Sequence, residues 1–493
     1  MSLENKQFVP LIYFSDYFNV DRETVAKYGA FDISLVNDLP LFIDPFLLFE
    51  SDSDKYIKLH ESIIGYVKFL KEILIAGAVS KSEIEHLFHF PEVKQNWLGF
   101  SKVGNGGSGL GKEFAEVLIR NLKTIFSNFG EEKVSNGSHL EKLGLMSDHV
   151  GRDHLSDFTT NLIKKFLLEY TQEFALEYMD KSKLSLFAID KVEFDFKTQK
   201  WLRGKYMLPV YENDYVILTP RDLLTKDEAW INRSDLIGNF KDIYSAIPDE
   251  LLRSKIDDYF LRRLSENAST KEIADVSAKA IEKFPEVLDY YIKKKEIAGS
   301  DAIVDSLEKV VGTEKRFVKN IRDFSIAYLA DSGFYENDDS YDESMRRLLY
   351  LKDVIENQDG YRFLYVDGKA FEREMDLQIM FRLCWAVSTF EVDSEVNNGR
   401  GPVDFKISKG RGNKTLVEFK IGSNTQLKRN LKNQVAIYEK ANSTKKSIKA
   451  ILCFTEGQQI RLQEILKELN LLGDKDIVMI DARNDNKPSA SKA

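Results

Sequence analysis

Residues 399–421, GRGPVDFKISKGRGNKTLVEFKI, set two carboxylates and a lysine at strand spacing. In the first half Val403, Phe405 and Ile407 alternate with Asp404 and Lys406; in the second, Val417, Phe419 and Ile421 alternate with Glu418 and Lys420. Successive side chains of a strand project to opposite faces, so a hairpin of the two halves brings Asp404, Glu418 and Lys420 to one surface. The glycine-rich, basic stretch between them supplies the turn. Carboxylate oxygens suit a hard divalent cation, and a lysine beside them offsets charge on a phosphate, so the pattern points to Mg²⁺-dependent phosphodiester hydrolysis.

Three other stretches carry similar residue types without the same support. Gly106 to Lys112 matches the first seven positions of the phosphate-binding loop GxxxxGK[ST], but Glu113 stands where a hydroxyl should hold Mg²⁺ and no convincing strand precedes it. A flexible loop ahead of a helix at 113–129 is the plainer expectation. His149, Asp153, His154 and Asp157 cluster before an expected helix, with Asp157 or Thr159 as its cap; one turn-rich segment rarely completes a metal site, so capping and loop hydrogen bonds are expected there. Asp195-Phe196-Lys197 repeats the acid-x-lysine spacing on a strand over 192–197, with no hairpin partner carrying an acid and no basic helix after it.

The elements that must position Asp404, Glu418 and Lys420 are legible around them. A helix over 341–357, a short hairpin over 361–370 and a helix over 371–388 precede the strand pair. A basic helix over 425–441, a strand over 448–454, a helix over 458–472 and a strand over 476–480 follow it. This α-β-β-β-α-β order, with Pro402-Val403-Asp404 and Glu418-Phe419-Lys420, resembles the PD-(D/E)XK nuclease superfamily, the restriction-endonuclease-like fold, over the last third of the chain. The proline lies one residue further from the aspartate than the family name implies. The resemblance implies an acid on the helix before the hairpin, where the sequence offers Glu372 and Glu374. At about 100° per residue, Glu374 shares a face with Leu377, Gln378, Phe381, Cys384 and Trp385, whereas Glu372 points nearly opposite, so Glu374 is the third carboxylate expected. Gln434 and Tyr438, four apart on the later helix, look like the QxxxY element of the superfamily's exonuclease-like subgroup, which lines the site.

On this reading Asp404, Glu418, the Phe419 carbonyl and Glu374 hold Mg²⁺, with Mn²⁺ able to substitute, and Glu374 completes that ion's shell or serves a second ion. Lys420 orients or helps deprotonate the attacking water. Arg400, Lys428, Arg429 and Lys432 track the nucleic-acid backbone. The expected activity is a metal-dependent nuclease, DNA favoured over RNA, and the resemblance extends this to prokaryotic restriction or anti-phage defence. The reading of a different class is a non-catalytic nucleic-acid-binding or assembly protein with an inert nuclease-like domain, since alternating acids and lysines also make an ordinary solvated sheet face.

Composition bounds the rest. With 493 residues the chain exceeds one core. Residues 1–234 are expected to form an α+β domain of unassigned role, 235–335 a helical connector or arm, 341–483 the nuclease-like mixed sheet flanked by helices, and 484–493 a disordered tail. Helix is also expected over 56–74, and a strand from Tyr215 that ends in Pro220 and gives way to helix, while Asp44 ahead of Pro45 is expected to cap or turn. The net charge of −9 excludes a globally basic nucleic-acid binder, yet residues 399–450 hold thirteen Lys/Arg against three acids, so the basic character is local to the strand pair. Cys384 and Cys453 sit in apolar runs and suit buried thiols. No stretch is apolar and long enough to span a membrane, and the first residues lack a signal-peptide pattern, which makes the cytoplasm the expected compartment. A homodimer would suit double-strand cleavage, and further defence proteins are the expected partners.

Overall fold

The computed structural model describes residues 12–77, 79–99, 110–124, 129–146, 150–265, 268–329, 339–385, 390–397, 402–408, 413–432 and 446–487. It is a mixed α/β molecule in which one buried apolar cluster runs from Ile12 to Ala482.

In the first part, helix α1 (Asp54–Ala76) turns His60, Ile63, Tyr66, Val67, Leu70 and Leu74 inward at helical spacing. Helices α2 (Arg152–Leu162) and α3 (Lys164–Tyr178) pack beside it, and strands β1 (Leu184–Asp195) and β2 (Lys200–Tyr211) form a long antiparallel hairpin. The register slips between Ile189 and Glu193, where Lys191 takes a left-handed φ of 49°. Asp195 ends β1 by accepting from the Lys197 N–H and the Thr198 hydroxyl, so its acid-x-lysine spacing serves a turn.

Two sequence expectations change here. Asp153, His154 and Asp157 lie inside α2 rather than ahead of a helix, because the helix begins at Arg152; His149 and the loop over 106–109 lie outside the described residues. Pro220 does give way to the helical turn Arg221–Leu223, but the strand expected over 215–220 is a strand only at Asp214–Tyr215. Its Val216, Ile217 and Leu218 are buried, but the Ile217 and Leu218 N–H groups donate to the Gln95 carbonyl and the Thr171 hydroxyl. An apolar run reports burial without reporting which backbone will pair with it. Asp44 caps the short helix Pro45–Phe49, its carboxylate accepting from the Phe46 N–H at 3.1 Å, as its position before proline implies.

Residues 233–329 are helical almost throughout. Asp249 caps the helix Glu250–Leu261 just after Pro248, and Pro285 precedes helix α4 (Val287–Ile297). Helix α4 and helix α5 (Gly299–Glu314) lie against the first part: the Trp230 indole N–H donates to the Lys295 carbonyl and Arg221 pairs with Glu314 at 2.6 Å.

The last part is built on a five-stranded mixed sheet. Helices α6 (Ser340–Asn357) and α7 (Glu374–Trp385) come first. Strands β3 (Glu391–Asn397), β4 (Pro402–Ser408), β5 (Lys414–Ile421), β6 (Ser447–Cys453) and β7 (Ile477–Asp481) follow, with helix α8 (Glu456–Glu468) between the last two. The spatial order is β7-β6-β5-β4-β3: β3, β4 and β5 form an antiparallel meander, and β5, β6 and β7 run parallel. Phe405, Val417, Phe419, Ile448, Ala450 and Leu452 point into the large core beneath α6 and α7. Ile451 and Cys453 point the other way, into a second cluster with Leu427, Leu462 and Ile465. Strand β3 carries no sequence signal strong enough to expect it. EVDSEVN holds two valines among polar residues, the composition of an exposed edge. Residues 484–487, expected within a disordered tail, fold back instead, the Asn486 amide donating to Asp481 at 2.7 Å. Among the described residues no helix is long and apolar enough to cross a membrane.

Candidate functional site

Strands β4 and β5 pair from Lys414↔Ser408 as far as Val417↔Phe405, and there the ladder stops. Beyond it a side chain takes over from the backbone, as the Asp404 carboxylate accepts the Phe419 N–H at 2.6 Å. The strands part at this point, and the alternation expected from the sequence delivers Asp404, Glu418 and Lys420 to the resulting crevice. Glu374, the first residue of α7, reaches the same place. Its carboxylate accepts from the Asn424 amide at 2.6 Å and from the Ile421 N–H at 3.4 Å. A helix start is a favourable position for a negative side chain. Glu372 is exposed.

The ammonium of Lys420 is the centre of the arrangement. Its Nζ lies 3.1 Å from Glu418, 3.3 Å from Glu374 and 3.9 Å from Asp404, and it donates to the Phe419 carbonyl at 3.1 Å. Side-chain exposure falls from 26% for Glu374 to 8% for Lys420 and Glu418, so Glu374 marks the open side. Burial pulls the Lys420 ammonium down, but the three carboxylates outweigh it and hold the group well above its ordinary range. Lys420 is therefore charged at neutral pH. Burial pushes the Asp404 carboxyl up to about 7; Lys420 opposes the shift, while Glu418 adds to it. Three acids around one ammonium leave the crevice short of positive charge.

The donor set suits a hard divalent cation: three carboxylates and the Phe419 carbonyl, all oxygen, in a buried crevice with an excess of negative charge. Among the described residues no group of three His, Cys, Asp or Glu side chains already stands as an ion cage. Each carboxylate of this crevice is engaged by Lys420.

Residues with no motif-level signal complete the surroundings. Asn424 fixes Glu374, and Arg461 of α8 donates to the Gly422 and Asn424 carbonyls at 3.1 and 2.9 Å, clamping the turn after β5. Gly422 is required by packing, since a Cβ there would lie 2.9 Å from Gln458 and 3.0 Å from the Cys453 sulfur. Lys449 on β6 is in register with Glu418 and buried. Of the expected backbone-tracking cations, Lys428 pairs with Glu468, and Arg429 and Lys432 are exposed on the helical turn over 427–432. Arg400, Gln434 and Tyr438 lie outside the described residues.

Residues 19–232 match a family model described as a domain of unknown function (DUF8370), and residues 340–456 match a second, also a domain of unknown function (DUF8371). The second range contains Glu374, Asp404, Glu418, Lys420 and Asn424. No curated protein and no solved structure matches the chain.

Proposed function

We propose that the chain is a metal-dependent nuclease whose site is the crevice between β4, β5 and the start of α7. The observation that carries this reading is the convergence of Asp404, Glu418 and Glu374, from three separate elements, on the ammonium of Lys420. A solvated sheet face does not bury such a group or draw in a carboxylate from a helix. The sheet order and the Pro402–Asp404 and Glu418–Lys420 spacing support the resemblance to the PD-(D/E)XK superfamily, and with it DNA over RNA as substrate and a role in restriction or anti-phage defence.

Asp404, Glu418, Glu374 and the Phe419 carbonyl would hold Mg²⁺ or Mn²⁺, which supplies charge neutralisation at the phosphate and an acidified water. Lys420, charged in this arrangement, acts as an electrostatic partner of the phosphate rather than as the base. Asn424 and Arg461 keep Glu374 and the turn after β5 in place, the kind of outer support that metal sites depend on.

The test is cleavage of plasmid and of single-stranded DNA with Mg²⁺ or Mn²⁺, comparing wild type with Lys420→Ala and Glu418→Gln. Cleavage by the wild type, reduced at least about a hundredfold in both variants, is expected. Cleavage unaffected by Lys420→Ala would sink the site assignment. A second reading has its own support: Lys420 already balances part of the crevice charge, as an inert nuclease-like domain would require. Absence of cleavage on DNA and RNA alike, together with no Mg²⁺ binding by titration calorimetry, would favour it.

A further inference from the structure

A cleft of about 330 Å³ opens in the first part of the molecule between α1, α3 and the β1–β2 hairpin, large enough for one nucleotide-sized group. Its floor is aromatic. Tyr66 and Phe194 meet edge to face at 4.8 Å between ring centroids, and Phe194 and Trp201 do so at 5.4 Å. At the mouth Phe196 is 45% exposed, its ring against α1 at Gly65, where a Cβ would lie 3.6 Å away. An exposed ring held in place at the mouth of an aromatic cleft points to something that covers it.

The rim is cationic. Lys55 and Lys58 lie one helical turn apart on α1 and are exposed; Lys165 stands on α3, where Glu193 pairs with it at 2.9 Å. The Lys55 ammonium lies 4.5 Å from the centre of the Phe166 ring. Lys197 and Lys200 at the hairpin end are exposed and extend the same charge beyond the cleft. Glu169 and Glu193 are the acids lining it.

We propose that this cleft binds single-stranded nucleic acid, with Phe196 as a stacking platform for a base and Lys55 and Lys58 as contacts to phosphate. The proposal rests on the nuclease reading in taking nucleic acid as the substrate, and it assigns substrate capture to the first part of the chain. Aromatic faces beside lysines match a polymer that alternates flat bases with phosphates. A duplex keeps its bases stacked inside and offers nothing to Phe196. An acidic peptide would answer the lysines and leave the ring uncovered.

The experiment is fluorescence anisotropy of the full chain in EDTA with a labelled oligo-dT 20-mer, at low and moderate salt. Binding that weakens with salt is expected. Phe196→Ala should weaken it at least about fivefold, and Phe196→Tyr, which keeps a ring, should restore it. Lys55→Glu with Lys58→Glu should weaken it at least about tenfold and flatten its salt dependence. The proposal is overturned if the wild type does not bind the 20-mer, if these variants bind like the wild type, or if blunt duplex or poly-glutamate competes as well as unlabelled dT. Binding through the cleft without cleavage by the wild type would leave this proposal standing and remove the nuclease reading. Cleavage that needs Lys420 but ignores the cleft variants would do the reverse.

Discussion

Lys420 faces Glu418, Glu374 and Asp404 within 3.1 to 3.9 Å, and this one ammonium leaves Asp404 only partly compensated. The Asp404 carboxyl stands at about 7 against an ordinary 3.8. Between those values the folded chain keeps a proton that the unfolded chain has lost, so this group makes folding weaker as pH rises through the window, and the penalty persists above it. In EDTA, Asp404→Asn should therefore raise the melting temperature by a few degrees near pH 8 and leave it unchanged near pH 4; a lower melting temperature at pH 8 would contradict the buried-charge account. Cation binding needs the ionised carboxylate, so Mg²⁺ affinity read by titration should strengthen as pH rises through about 7. Asn424 belongs to the same scale as a positioning residue. Asn424→Ala should cut cleavage by about 10- to 100-fold through loss of Glu374 alignment, while Asn424→Asp, which places a second carboxylate against Glu374, should not rescue it.

The fork between β4 and β5 is made by packing at the level of elements. Phe419 meets Phe381 of α7 at 4.7 Å between ring centroids, and Phe405 lies 5.2 Å from the same ring, so one helix seats both strands. Beneath the sheet, α6 carries Arg347 and Glu343, both fully buried and paired at 2.6 Å, with the guanidinium 3.9 Å from the Trp385 ring centre. Arg346 also pairs with Glu343 at 3.0 Å, so losing Arg347 leaves the buried carboxylate with one cationic partner in place of two. Arg347→Met should cost about 1–3 kcal/mol in urea unfolding, and the double change Glu343→Gln with Arg347→Met should recover part of it. The sequence marks Arg347 as one more charge on an amphipathic helix. Only the helix's placement beside α7, against the same face of the sheet, makes it interior.

Across the whole molecule, the helical region is tied to the start of α7. Arg316 pairs with Asp376 at 2.5 Å and lies over Phe371, while Arg373 pairs with Asp227 from the first part. Asp376 is buried and sits two residues from Glu374, so the carboxylate nearest the open side of the crevice is anchored by residues more than fifty positions away in sequence. Arg316→Ala should lower thermal stability and cleavage together, checked by melting and by plasmid cleavage on the same preparation; loss of stability with full cleavage would show that α7 keeps Glu374 aligned alone.

What the sequence determined by itself was the set of residues on one strand face and the face of α7 that carries Glu374. Both follow from fixed periodicities of two and 3.6, which need no partner to be known. The cap at Asp44 and the prolines at helix starts were legible for the same local reason. Tertiary structure decided what lies outside that local arithmetic. Strand β3 forms because β4 offers it an edge, not because EVDSEVN has a pattern of its own. The run over 216–220 is buried throughout, so its apolar residues carry no strand period. The parting of β4 from β5, the arrival of Glu374 and Asn424, and the shift of Asp404 are all consequences of burial and of contacts between distant segments. Residue types named the chemistry; only the packing put a charged lysine in the middle of three carboxylates.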